Sequence, residues 1–158
     1  MDKPALRILI VCSGNICRSP MAAALARRRL EEAGFSGFCV ESGGTLDLEG
    51  QPAHPHAQRA VRVRGLSLEE HRSRTLSAAQ LDQATHILVM APEHIREVLF
   101  RRPQFQDRIV KLWEFTDKPR RLNRIADPLG QPYKVFAACR DDIDECLRNW
   151  IKTLRVES

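Results

Sequence analysis

Hydrophobic and polar positions along this chain change period in blocks, and the blocks predict alternating strands and helices. Arg7 to Val11 is a short apolar, β-branched run, the pattern of a strand buried in a parallel sheet. A helix is then expected from Pro20 to about Ala33, with Met21, Ala24, Leu25 and Ala33 near one face, Ser19 as N-cap and Gly34 as its stop. Phe38 to Glu41 reads as a second strand, followed by a Gly- and Pro-rich loop and a helix from about His56 to Arg64 that ends at Gly65. A short helix is expected near Ser77 to Gln83, a strand at Thr85 to Met90, a helix at Glu93 to Phe100 and a fourth strand at Ile109 to Leu112. After an irregular stretch from about Glu114 to Gln131, Val135, Cys139, Ile143, Cys146 and Ile151 recur near helical spacing and predict a last helix from Tyr133 to about Leu154.

This order predicts an α/β fold, a parallel sheet with helices on both faces, in which ligands bind beyond the carboxyl ends of the strands. At 158 residues, one domain over 1–158 with one core is expected. Apolar runs fall well short of the ~20 residues of a membrane-spanning helix, and Ile8 to Val11 is too short for a secretory signal, so a cytoplasmic protein without a membrane partner is expected. The five cysteines, an odd number, argue against a disulfide framework. Cys39, Cys139 and Cys146 read as core residues, and Arg27, Arg28 and Arg29 as a solvated helix face. A formal charge of +5 favours anionic partners.

The candidate chemistry lies in Cys12-Ser13-Gly14-Asn15-Ile16-Cys17-Arg18, between the first strand and a helix start. Successive backbone N–H groups of such a loop can converge on one tetrahedral oxyanion, and the helix dipole adds positive partial charge there. Arg18 can grip two phosphate oxygens with its planar fork. The same field favours the thiolate of Cys12, a nucleophile that needs neither a histidine base, a metal nor a cofactor. Ser19 could hydrogen-bond that sulfur, and Gly14 and Asn15 tolerate positive φ. Asp127, before Pro128 in a long loop, could reach over the site as a general acid, although an Asp-Pro pair is also a common turn former. His54, His56, His86 and His94 have no metal-ligand companions in the sequence.

Val11 to Pro20, V-C-S-G-N-I-C-R-S-P, resembles the signature loop of the low-molecular-weight protein tyrosine phosphatases. Further similarities lie in Glu41-Ser42-Gly43-Gly44-Thr45, His71-Arg72-Ser73-Arg74, Leu88-Val89-Met90 followed by Glu93-His94, and Asp127-Pro128. The resemblance implies a four-stranded sheet of order 2-1-3-4 and hydrolysis of phosphorylated protein, not nucleic acid, through a cysteinyl-phosphate on Cys12. It implies Asp127 as the acid, Ser42 and His71 as supports of Asn15, and Cys17 as a thiol able to form a reversible disulfide with Cys12.

Three departures bear on substrate. Where phosphotyrosine-specific members carry aromatic pocket walls, this chain has Leu46, Asp47, Leu48 and Leu129-Gly130. A related class acting on phosphoarginine carries threonine at the position of Ile16, so isoleucine points back to phosphotyrosine. Thioredoxin-coupled arsenate reductases need a cysteine pair near residues 80 to 92, where this chain has none. A non-catalytic phosphoprotein-binding module would dispense with Cys12 or Asp127. The basic run Lys118, Arg120, Arg121 and Arg124 would favour substrates with acidic flanks.

Overall fold

The computed structural model describes residues 5–118 and 123–154. Its sheet has four parallel strands, β1 (Leu6–Cys12), β2 (Phe38–Gly44), β3 (His86–Val89) and β4 (Ile109–Lys111), in the order β2-β1-β3-β4. Ile8 to Val11 are nearly inaccessible, as an unbroken apolar run in a central strand requires. The helices are α1 (Arg18–Glu32), α2 (Pro55–Arg62), α3 (Ala78–Gln83), α4 (Pro92–Arg101) and α5 (Tyr133–Ile151). Two 3-10 segments, Pro103–Arg108 and Leu112–Phe115, flank β4 and were not legible in the hydrophobic period.

From β1 the chain moves to one side for β2 and then to the other for β3 and β4. Right-handed crossovers therefore place α1 and α3–α4 on opposite faces, with α2 and α5 packed on α1. The point where the direction reverses opens a crevice at the carboxyl end of β1.

Gly34 stops α1 in the left-handed conformation (φ 89°). Ser77 caps α3 through a capping box with Gln80. The arginine run on α1 differs from the expected solvated face. Arg27 donates to the Val40 carbonyl at 2.7 Å, Arg28 to the Arg64 carbonyl at 3.0 Å, and Arg29 binds Asp144 of α5 through two bonds of 2.8 and 2.6 Å. These cations tie α1 to its neighbours, a use that the sequence period alone does not reveal. Cys139 and Cys146 are buried, whereas Cys39 is only half-buried, because β2 is an edge strand.

Candidate active site

β1 ends at Cys12, in register with Gly44 of β2. A Cβ at Gly44 would lie 2.7 Å from the Ser13 carbonyl oxygen, so only glycine lets the two strand ends come this close. The loop turns through Asn15 in the left-handed region (φ 58°), and α1 begins at Arg18 with Cys17 in the cap position. Ser19 is therefore not the N-cap expected from the sequence; it lies inside the helix, with its hydroxyl 2.9 Å from Cys12 Sγ. Gly14 does not use positive φ; a Cβ there would press against Leu48 at 3.2 Å.

The strained Asn15 is held from several directions. The Arg74 N–H donates to Asn15 Oδ1 at 3.0 Å, which fixes the amide so that Nδ2 donates to Ser19 Oγ at 2.7 Å and Ser42 Oγ at 3.0 Å. His71 Nε2, which must carry its proton, donates to the Asn15 carbonyl at 2.7 Å. Ser19 accepts from Asn15 and so directs its own O–H to the Cys12 sulfur, while the Asn15 N–H donates to the same sulfur at 3.3 Å. Two donors therefore converge on Sγ, an arrangement that suits a thiolate as nucleophile and as leaving group.

Arg18 is 3% exposed, and three groups from two segments of the chain hold it. Nη1 donates to the Ile125 carbonyl at 2.9 Å, and Nη2 donates to Ser13 Oγ at 3.3 Å and lies 3.6 Å from Asp127 Oδ2. Ile125 also donates its N–H to the Met90 carbonyl at 2.8 Å, so the segment before Asp127 is anchored at the end of β3. Asp127 itself is 43% exposed, and its Oδ1 accepts the Leu129 N–H at 3.1 Å.

A cavity opens over the sulfur. Ile16, Leu46, Leu48 and Leu129 supply its apolar lining, and Arg18 and Asp127 line it as well. Thr45 and Leu46 donate their N–H groups to the Cys12 and Ser13 carbonyls at 3.0 and 2.9 Å, which brings the two leucines to the pocket. Cys17 also lines the cavity; burial, then the charge of Asp127 and of Cys12, pushes its thiol up to about 12.

One residue that the sequence offered only within the Glu93-His94 similarity, without a role, belongs to the site. His94 of α4 is fully buried, accepts the Met90 N–H on Nδ1 at 3.3 Å and meets Ser13 Oγ through Nε2 at 3.0 Å. Burial, with Arg18 next in weight, lowers its pKa to about 4. The available signal was its place just beyond β3, at the same sheet end as Cys12. Of the basic run, Arg124 pairs with Glu93 at 3.0 Å and Lys118 pairs with Asp142, while Arg120 and Arg121 lie outside the described residues.

The family model described as low molecular weight phosphotyrosine protein phosphatase matches residues 7–158, and the chain belongs to that family. A protein-arginine-phosphatase of Geobacillus stearothermophilus is 37% identical over 151 residues, covering 96% of this chain and 97% of the relative. The crystal structure of a low molecular weight protein tyrosine phosphatase from T. tengcongensis superposes with a TM-score of 0.86 at 28% identity, over 95% of this chain and 100% of that one. A cysteine-to-serine mutant of the YwlE arginine phosphatase, with a phosphorylated active-site serine, superposes with a TM-score of 0.84 at 29% identity, over 94% and 95%.

Proposed function

We propose that this phosphatase hydrolyses phosphotyrosine in proteins by attack of Cys12 Sγ on phosphorus. As the S–P bond forms and the bond to the phenolic oxygen breaks, Asp127 gives that oxygen its proton. Water then attacks phosphorus, Asp127 takes back a proton, and the sulfur leaves as thiolate under the Ser19 and Asn15 donors. Arg18 and the loop N–H groups hold the phosphoryl oxygens throughout. The observation that carries this reading is the convergence of two donors on Cys12 Sγ at the base of a cavity flanked by Arg18 and Asp127. The phosphorylated serine in the related mutant supports a covalent intermediate at this position. Cys12→Ser should abolish turnover of an aryl phosphate while the protein stays folded; retained turnover would sink the mechanism.

A second reading, hydrolysis of phosphoarginine, has an observation in its favour. The cavity wall is built of leucines, and the Geobacillus relative carries that activity in its name. Ile16 argues for tyrosine. Rates on matched phosphotyrosine, phosphoarginine and phosphoserine peptides decide between them, and a faster rate on phosphoarginine would replace the first reading.

The same loop supports redox control. Peroxide would oxidise the Cys12 thiolate to a sulfenic acid, one peroxide oxygen going to sulfur and the other leaving as hydroxide, and the Cys17 thiolate would then attack the Cys12 sulfur and displace hydroxide, forming a disulfide that a thiol reductant reopens. Because the Cys17 thiol is pushed up to about 12, this closure should speed up with rising pH, by about tenfold per pH unit while the thiolate fraction limits it. Mass spectrometry of quenched samples would follow the Cys12–Cys17 link. A closure rate independent of pH would rule out attack by the Cys17 thiolate. Such thiol chemistry suits a reducing compartment, and we place the protein in the cytoplasm on that ground. Acidic substrate flanks would act through Arg124 and its neighbours, a weak and salt-sensitive attraction given the pairing with Glu93.

A further inference from the structure

We propose that the Ser13 side chain is an additional phosphate-binding donor, set in place by the buried His94. The inference rests on the cysteinyl-phosphate reading above but concerns a different hydroxyl from that of Ser19. His94 Nδ1 faces the Met90 N–H at 3.3 Å, and a backbone amide can only donate. Nδ1 is therefore the bare nitrogen, and the proton of the neutral ring is on Nε2. Nε2 then donates to Ser13 Oγ at 3.0 Å. Arg18 Nη2, also only a donor, reaches the same oxygen at 3.3 Å. Both lone pairs of the hydroxyl are thus engaged, and its one proton has no partner in these two groups. Ser13 lines the cavity above the Cys12 sulfur, so that proton is available to a phosphoryl oxygen bound there.

The arrangement separates two roles. Ser13 touches the substrate, whereas His94 never does, being fully buried behind the loop. His94 is a positioning residue: its N–H prevents the Ser13 hydroxyl from spending its proton on the ring, and its depressed pKa keeps the Met90 bond intact at neutral pH. Arg18 gains as well, since a Ser13 oxygen locked from the far side gives Nη2 a fixed acceptor until phosphate arrives.

The test uses an aryl phosphate for turnover and inorganic phosphate as a competitive inhibitor. A hydrogen bond to a charged oxygen sets the scale, so Ser13→Ala should lower kcat/KM by about 10- to 100-fold and weaken phosphate inhibition in a protein that still folds, its melting temperature lowered because the buried His94 N–H loses its acceptor. Ser13→Thr keeps the hydroxyl and should recover most of the loss. His94→Gln can accept from Met90 and donate to Ser13, so it should stay near the wild type, whereas His94→Phe should behave like Ser13→Ala. In the Ser13→Ala background, His94→Phe should cost nothing more in kcat/KM. Ser13→Ala within twofold of the wild type, or a full His94→Phe loss that persists without the Ser13 hydroxyl, would overturn the proposal. Inactivity of the wild type itself would instead count against the cysteinyl-phosphate reading.

Discussion

The nucleophile loop and the acid segment face each other across one cavity, yet they are built in opposite ways. Asn15 makes bonds to Arg74, Ser19, Ser42 and His71, and its left-handed backbone is buried under them. Asp127 is 43% exposed and is held by one turn bond to Leu129 and a 3.6 Å approach to Arg18. The proposed phosphate site is thus fixed before substrate binds, because loop amides that face one oxyanion repel one another and collapse unless other bonds hold them open. The proposed acid must leave room for substrates to enter and for water to replace the leaving group, and an exposed side chain on an anchored segment allows both. Arg18 joins the two regions, since one guanidinium bonds the Ser13 side chain and the Ile125 carbonyl.

The largest expected effect breaks the weakly held side. Asp127→Ala removes the proposed proton donor while leaving Cys12 and Arg18 in place, so phosphotyrosine turnover should fall by about 10²- to 10⁴-fold. An aryl phosphate whose phenolate is stabilised by electron-withdrawing groups needs less protonation and should lose much less. Rates on two esters of different leaving-group basicity check this. Equal slowing of both would remove Asp127 from the role of acid.

The next effect tests the pinned side through pH. His94 has an ordinary pKa of 6.5 and is lowered to about 4 in the fold, chiefly by burial. Between those values the unfolded chain takes up a proton that the folded chain refuses, so folding loses stability as pH falls through 6.5 toward 4 and keeps its full value above 6.5. The interval corresponds to roughly 3 kcal/mol. His71, His54 and His86 are lowered as well, with burial first among the causes, and act in the same direction. Denaturant unfolding at pH 7 and pH 4.5 should therefore show a drop that is smaller in His94→Gln. An equal drop in both proteins would assign the acid sensitivity elsewhere.

The two regions were not equally legible in the sequence. Strand, loop and helix around Cys12 are written in consecutive residues, with an apolar run, a Cys and an Arg with five residues between them and a following Pro, so local pattern suffices. Even there the pattern misplaced the start of α1, because Ser19 is recruited by a sulfur and an asparagine amide, which no capping rule anticipates. The role of His94 is invisible to spacing: the Glu93-His94 pair belongs to the family similarity, but its partner Ser13 is 81 residues away and nothing in the sequence says what the ring touches. Arg27 to Arg29 failed for the related reason that a long cationic side chain can reach carbonyls and carboxylates on neighbouring elements.

The smallest expected effect sharpens the comparison by asking whether the nucleophile loop is held redundantly. Ser42→Ala removes the acceptor of one Asn15 amide bond, but Nδ2 keeps Ser19 and Oδ1 keeps Arg74. His71→Ala removes the donor to the Asn15 carbonyl, and water can enter because His71 is only partly buried. One neutral hydrogen bond is worth about 1 kcal/mol, so each single change should reduce kcat/KM by no more than roughly fivefold. If the supports are redundant, each compensates for the absence of the other. Removing both should then cost clearly more than the product of the two single losses, with a coupling on the order of 1 kcal/mol in a double-mutant cycle. The extra loss should appear in phosphate inhibition as well as in rate, because what relaxes is the left-handed turn that aims the loop amides. Strictly multiplicative losses would mean that the two bonds act independently and that neither compensates for the other.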